Sequence, residues 1–216
     1  MNSFNLQASS TEKIILGMGC FWGPDSSFGS LPGVISTVVG YAGGTSSHPT
    51  YRKIDDYTET VEITFDPQLL SLESLLHTFW QTHDATKNRF YRERQYISLI
   101  VFQNIQQKKI AENIKQIEEK RQGKEIQTEF QVATPFYPAE DYHQKYFLRR
   151  FKEATKNVQK LFPDEETFIR STISARLNGF IRENKSLPEI KEEIKNWDLS
   201  EEHLKELQNM ILSLKW

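Results

Sequence analysis

Cysteine is nearly missing from this chain: Cys20 is the single thiol among 216 residues. That count excludes an intramolecular disulfide and a cysteine-rich metal site. An excess of one charge is missing as well. Lys and Arg number 27 against 29 Asp and Glu, a formal net charge of −2, which gives no overall pull towards nucleic acid or an anionic membrane. Long apolar runs are absent; Ile14-Ile15-Leu16 is typical of those present and is far too short to cross a bilayer. Residues 1–12 are polar with no apolar stretch after a basic start, so no signal peptide is read there. A soluble, cytoplasmic protein with one free thiol is the expectation.

Glycine is scarce outside one region: eight of the ten lie between Gly17 and Gly44, leaving only Gly123 and Gly179 beyond it. Glycine marks backbone that turns tightly or approaches something closely, so the site is sought there. Aromatics are plentiful, with 14 Phe, 8 Tyr and 4 Trp in a chain that is 38% hydrophobic. That supply suffices for a packed core and excludes an intrinsically disordered chain.

The local patterns predict alternating elements. Lys13 to Gly19 reads as a buried strand, Phe21 to Leu31 as a helix with Pro24 near its start, and Val34 to Tyr41 as a β-branched strand ending at Gly43-Gly44. Glu59 to Phe65 alternates polar and apolar residues, the half-buried strand pattern. Ser71 caps a helix with Leu72, Leu75, Leu76 and Phe79 on one face. A strand over Gln95 to Phe102, a helix over Ile105 to Lys120, a strand over Thr128 to Ala133 and a helix over Ala139 to Phe147 complete the main body. This mixture favours an α+β fold over a purely parallel sheet. From Leu148 onward the chain reads as successive helices: one begins at Asp164 and carries Phe168, Ile169 and Ile173, one begins with the capping box Ser186-Leu187-Pro188-Glu189, and one begins at Ser200. A helical layer packed on the main domain is the plain reading of that tail, and a partner-binding tail is the alternative.

Cys20 sits between the first strand and the first helix, where backbone N–H groups and the helix dipole are expected to lower its pKa. Gly19 and Gly23 leave room for a substrate, and Phe21 and Trp22 can wall a pocket for a small apolar group such as a thioether methyl. Gly19-Cys20-Phe21-Trp22-Gly23 resembles the signature of the A-type peptide-methionine (S)-S-oxide reductases. The likeness continues through Leu31-Pro32-Gly33-Val34, Val39-Gly40-Tyr41-Ala42-Gly43-Gly44, Pro49-Thr50-Tyr51, Thr58-Glu59, Phe65-Asp66-Pro67, Phe79-Trp80, His83-Asp84 and Gln95-Tyr96. It ends with the unbroken run from Thr134 to Tyr146. The resemblance implies a two-layer mixed sheet with flanking helices and a ferredoxin-like core over residues 1–147, followed by an all-helical C-terminal extension over 148–216.

It also implies roles. Cys20 would attack the sulfur of methionine-S-sulfoxide, free or in proteins, and Glu59 would hold the proton for the departing oxygen, which requires a raised pKa. Tyr51 and Tyr96 would contact that oxygen through their hydroxyls. Phe21 and Trp22 would hold the methyl group, with Tyr57 and His143 as further substrate-binding candidates. The product is a sulfenic acid on Cys20. Relatives that resolve it with further cysteines near the C-terminus have no counterpart here, so an external thiol is implied: a small thiol, thioredoxin or glutaredoxin. No cofactor and no metal are expected.

Two departures stand out. The family's Gly-His-(Ala or Thr)-Glu becomes Asp56-Tyr57-Thr58-Glu59 after a shortened loop, and the aspartate of its Asn-Asp-x-Gly-Thr segment falls on Tyr91. That aspartate helps order the oxygen end of the family's site, so weaker catalysis or an altered substrate would follow. The same stretch gathers Lys87, Arg89, Arg92 and Arg94 around Phe90 and Tyr91, and reads as a solvated loop rather than a nucleic-acid grip. The alternative to the enzyme is a weakened relative that binds the methyl-sulfur group without efficient turnover. A general thiol peroxidase is disfavoured by the paired aromatics Phe21 and Trp22.

Overall fold

The computed structural model describes residues 4–86 and 93–216. Among these, six strands form one sheet: β1 (Glu12–Met18), β2 (Val34–Ala42), β3 (Thr58–Phe65), β4 (Ser98–Phe102), β5 (Glu129–Val132) and β6 (Tyr137–Pro138), in the order β5-β4-β1-β3-β2-β6. Only the β4–β5 pair is parallel. The α+β expectation of a mixed sheet with flanking helices and a helical C-terminus holds.

Side chains alternate across a strand, and this decides where the site lies. Ile14 and Leu16 of β1 and Val61, Ile63 and Phe65 of β3 face one side. There they meet Phe28 of α1 (Trp22–Gly29), Leu75, Leu76 and Phe79 of α2 (Leu72–Gln81), and Ala111 and Ile114 of α3 (Ile105–Gln122). Burying each of these Val, Leu, Ile and Phe side chains contributes about 1.5–3 kcal/mol. Ile15, Ala42, Leu99 and Val101 face the opposite side, with Phe136 against them. Ser71 caps α2 by accepting from the Ser74 amide, as its place in the sequence predicts.

Two predicted elements depart from expectation for tertiary or local reasons. The strand predicted from Gln95 begins only at Ser98, because Arg94–Tyr96 forms a 3-10 turn. The helix predicted over Ala139 to Phe147 is replaced by a 3-10 turn at Asp141–His143 and a separate α4 (Tyr146–Arg149). The cause is tertiary. The Gln144 side chain accepts from the Val39 amide at 3.0 Å and donates to the Val39 carbonyl at 2.8 Å, extending the sheet edge with a side chain. Lys145 then turns left-handed, at φ 51°.

That turn buries Lys145 completely against Asp25 of α1. Its Nζ donates to Asp25 Oδ1 at 2.8 Å and to the Thr37 carbonyl at 2.6 Å. Thr37 Oγ1 donates to Asp25 Oδ1 at 2.6 Å, and Asn178 Nδ2 donates to Asp25 Oδ2 at 3.1 Å. Burial lowers the Lys145 pKa and Asp25 opposes that drop. Removing one partner from such a buried pair costs about 3–5 kcal/mol, since the other charge stays behind.

The tail begins with α4 and continues as α5 (Lys152–Gln159), α6 (Glu165–Ile169), α7 (Thr172–Ile181), α8 (Leu187–Glu193) and α9 (Glu201–Ser213). The single helix predicted from Asp164 is two, since Ser171 caps α7 separately. The Ser186–Glu189 capping box and the Ser200 cap form as predicted. Leu148, Val158, Phe168, Ile173, Leu177, Ile190, Trp197 and Leu207 make a second core that takes in Val38 of β2. α7 crosses α1 closely where Gly179 faces Ser30; a Cβ on Gly179 would fall 1.7 Å from Ser30 Oγ. Arg176, fully buried, donates to the carbonyls of Gly29 at 2.6 Å and Val34 at 2.8 Å and pairs with Glu193. The tail therefore braces the helix that follows Cys20. Among the described residues no helix is long and apolar enough to cross a membrane.

Candidate active site

β1 ends at Met18, Gly19 turns the chain at φ 99°, and α1 opens at Trp22, so Cys20 stands exposed at the junction. A residue with a Cβ rarely adopts that φ, which is why glycine precedes the thiol. The expected lowering of the Cys20 pKa is not found. Enough protein surrounds the sulfur for burial to push it up, and the nearby Glu59 carboxylate adds to the rise; only the hydrogen bond from the Trp22 amide opposes it. The α1 N-terminus supplies one donor, which a neighbouring negative charge and partial desolvation outweigh.

Glu59 occupies the core-facing row of β3, two residues before Val61, where alternation would place another apolar side chain. It is 1% exposed. Its Oε2 accepts from the Phe21 amide at 3.1 Å and its Oε1 from Gln95 Nε2 at 2.7 Å. Burial raises its pKa, against the two donors. The carboxyl group thus hangs from the residue next to Cys20, with its proton held more tightly than in water.

Tyr51 and Tyr96 come to the same place from two loops. Their hydroxyls hydrogen-bond to each other, and both phenols feel Glu59 and Cys20. The Tyr96 pKa is pushed up to about 12, chiefly by burial, so both hydroxyls stay protonated donors at neutral pH. Phe21 is buried against Tyr41 and His143. Trp22 stacks on Tyr146 at 3.8 Å, with 4° between the rings. Its Nε1 donates to His143 Nδ1 at 3.2 Å. His143 is buried, with its pKa lowered by burial against Glu140. The accepting Nδ1 leaves the proton on Nε2, which has no partner among the described residues.

Tyr57 is placed differently from the others. It is buried, donates its hydroxyl to the Ser46 carbonyl at 2.6 Å and packs edge-on to Tyr137. A Cβ on Gly44 would lie 2.3 Å from its ring. Its hydroxyl pins the loop behind Phe21 rather than meeting Glu59 and Cys20. Asp56 closes the same loop through Thr45 and Ser46, and the Thr45 hydroxyl leads in holding its pKa down at about 2.

Arg94 is no member of an open basic loop: it pairs with Glu129 at 2.6 Å and donates to the carbonyls of Asp56 and Gly43. Lys87, Arg89, Phe90, Tyr91 and Arg92 lie outside the described residues. Three contributors had no role in the sequence reading: Gln95, Glu140 and Tyr146. Glu140 accepts from Tyr41 Oη at 2.8 Å and from the Tyr51 amide at 3.1 Å, so it sets the Tyr51 loop against the sheet. All three lie in segments already marked by the resemblance, but only their tertiary partners reveal what they do.

The assembled groups can bind a polar oxygen beside a nucleophilic sulfur, offer it a proton and enclose an apolar group between aromatic rings. Comparison with known proteins agrees with that chemistry. A family model described as peptide methionine sulfoxide reductase matches residues 12–177. A peptide methionine sulfoxide reductase of Drosophila melanogaster is 43% identical over 166 residues, covering 76% of this chain and 66% of its own length. One from Methanococcus maripaludis is 38% identical over 149 residues, covering 66% of this chain and 95% of its own. The solved methionine sulfoxide reductase A of Corynebacterium diphtheriae superposes with a TM-score of 0.56 at 32% identity, covering 66% of this chain and 76% of that one.

Proposed function

The chain belongs to the peptide methionine sulfoxide reductase family, and on that premise we propose that it reduces methionine-S-sulfoxide, free or within polypeptides, through a sulfenic acid on Cys20. The observation that carries this is the buried Glu59 carboxyl, hung from the Phe21 amide beside the thiol, with its pKa raised by burial.

The substrate methyl group sits against Phe21 and Trp22, and the sulfoxide oxygen points at Tyr51, Tyr96 and Glu59. Cys20 as thiolate attacks the sulfoxide sulfur, forming a sulfur–sulfur bond as electrons shift to the oxygen. Glu59 gives its proton to that oxygen. As methionine leaves, the oxygen passes to Cys20, which ends as a sulfenic acid. The substrate sulfur gains two electrons and the Cys20 sulfur loses two. An external thiol then attacks Cys20, releasing water and leaving a mixed disulfide, and a second thiol restores Cys20. The two thiols come from thioredoxin, glutaredoxin or a small thiol, because the chain has no second cysteine. In this reading residues 1–147 carry the chemistry and the extension from 148 supports α1 through Asn178 and Arg176.

The test is turnover of the separated S and R epimers of a blocked methionine sulfoxide with dithiothreitol. Consumption of the S epimer alone is expected. Equal consumption of both, or of neither, contradicts the proposal.

A further inference from the structure

Beside the Cys20 pocket a groove of about 570 Å³ runs onto the helical tail, lined by Asp141, Tyr142, Tyr146, Arg149, Arg150, Lys152, Thr155 and Lys156. It adjoins the site through two ring contacts. Tyr146 on its wall is stacked on Trp22, and Tyr142 lies with its ring centroid 4.2 Å from that of His143. Its charge is lopsided, with four cations against Asp141. Arg149 is spent on Glu165 and on the Gln144 carbonyl, and Lys156 pairs with the exposed Glu153 at 3.1 Å. Arg150 and Lys152 are exposed and make no ion pair among the described residues. α5 starts beside this groove at Lys152.

We propose that this groove is a subsite for the polypeptide substrate, taking acidic side chains that flank the methionine sulfoxide while the sulfoxide lies at Cys20. The idea rests on the function proposed above. A side chain held between Phe21 and Trp22 must let its main chain leave over the pocket rim, and Tyr142 and Tyr146 form the part of the rim that leads to Arg150 and Lys152. The volume suits a few residues of an extended chain. A folded reductant needs a face of roughly 800 Å² instead. Complementary charge at such a rim acts mainly on encounter and register. The acidic preference therefore belongs in KM.

The test uses the full chain and blocked peptides with a central methionine-S-sulfoxide flanked by Glu, Gln or Lys. In the unaltered protein the Glu peptide is expected to show the lowest KM. The double variant Arg150→Glu with Lys152→Glu, both on the surface, is expected to raise that KM roughly tenfold, and to erase much of the difference at high salt. Its kcat, and its KM for blocked methionine sulfoxide alone, stay unchanged. Equal KM for the three peptides overturns the proposal, as does a double variant that shifts only the KM of the reductant, which would make the groove a reductant site. Anisotropy of the labelled peptides with the Cys20→Ser chain reads the groove without turnover. If blocked methionine sulfoxide is not reduced at all, the function fails while this binding series still decides the groove.

Discussion

Replacing Cys20 by serine lowers sulfoxide reduction by roughly 10⁴-fold or more, to the level of the reductant alone. No other thiol exists to take over, since the chain has one cysteine, and a hydroxyl is a poor nucleophile towards sulfur at neutral pH. Binding is expected to survive, because Phe21, Trp22, Tyr51 and Tyr96 are untouched and an exposed position tolerates the exchange. Turnover with dithiothreitol, set beside binding of the same sulfoxide peptide, separates the two. A serine variant that retained a tenth of the activity would place the chemistry elsewhere.

Glu59→Gln is expected to lower kcat by roughly 10²- to 10⁴-fold, the range for losing a positioned general acid. Glutamine keeps the shape and can still bond Gln95 or the Phe21 amide, so the loss belongs to the proton. Two further readouts follow from the direction of the shifts. Glu59 has a raised pKa, so its acid form is present below that value and is lost as pH rises through it. The alkaline fall of kcat that tracks Glu59 should disappear in the variant. Its carboxylate also lifts the Cys20 pKa, so the thiolate of Glu59→Gln should appear at lower pH, as followed by ultraviolet absorbance. Stability moves the other way from activity. A carboxyl whose folded pKa is raised costs stability as pH climbs from its unfolded to its folded pKa. The glutamine variant should then be at least as stable as the parent at neutral pH. Lost activity with lost stability would make Glu59 a structural residue instead.

Much of this site is legible in the chain because its parts are local. The strand, the glycine turn and the helix that present Cys20 follow one another within residues 12 to 29, whereas the role of Glu59 comes from the resemblance and not from the strand pattern. Caps at Ser71, Ser186 and Ser200 are short-range hydrogen bonds, so residue type suffices to find them. What the pattern misses is set at long range. The run from Ala139 to Phe147 has helical propensity, yet Gln144 is pulled to Val39 and Lys145 to Asp25, more than a hundred residues away. The Cys20 pKa goes the same way: a helix start suggests a lowered value, and the burial of the sulfur by the folded chain, with Glu59 adding to it, reverses that. Tyr57, adjacent in sequence to the site strand, faces the Ser46 loop for a reason no spacing rule contains.

The most direct measurement omits every reductant. The reduced chain is mixed with excess S-epimer of a methionine sulfoxide peptide, and both methionine and the intact protein mass are followed. One methionine per chain should be released in a single burst, with Cys20 gaining the mass of one oxygen and reacting with a sulfenic-acid probe. Continued methionine formation without reductant, or a burst that leaves the protein mass unchanged, would contradict oxygen transfer to Cys20.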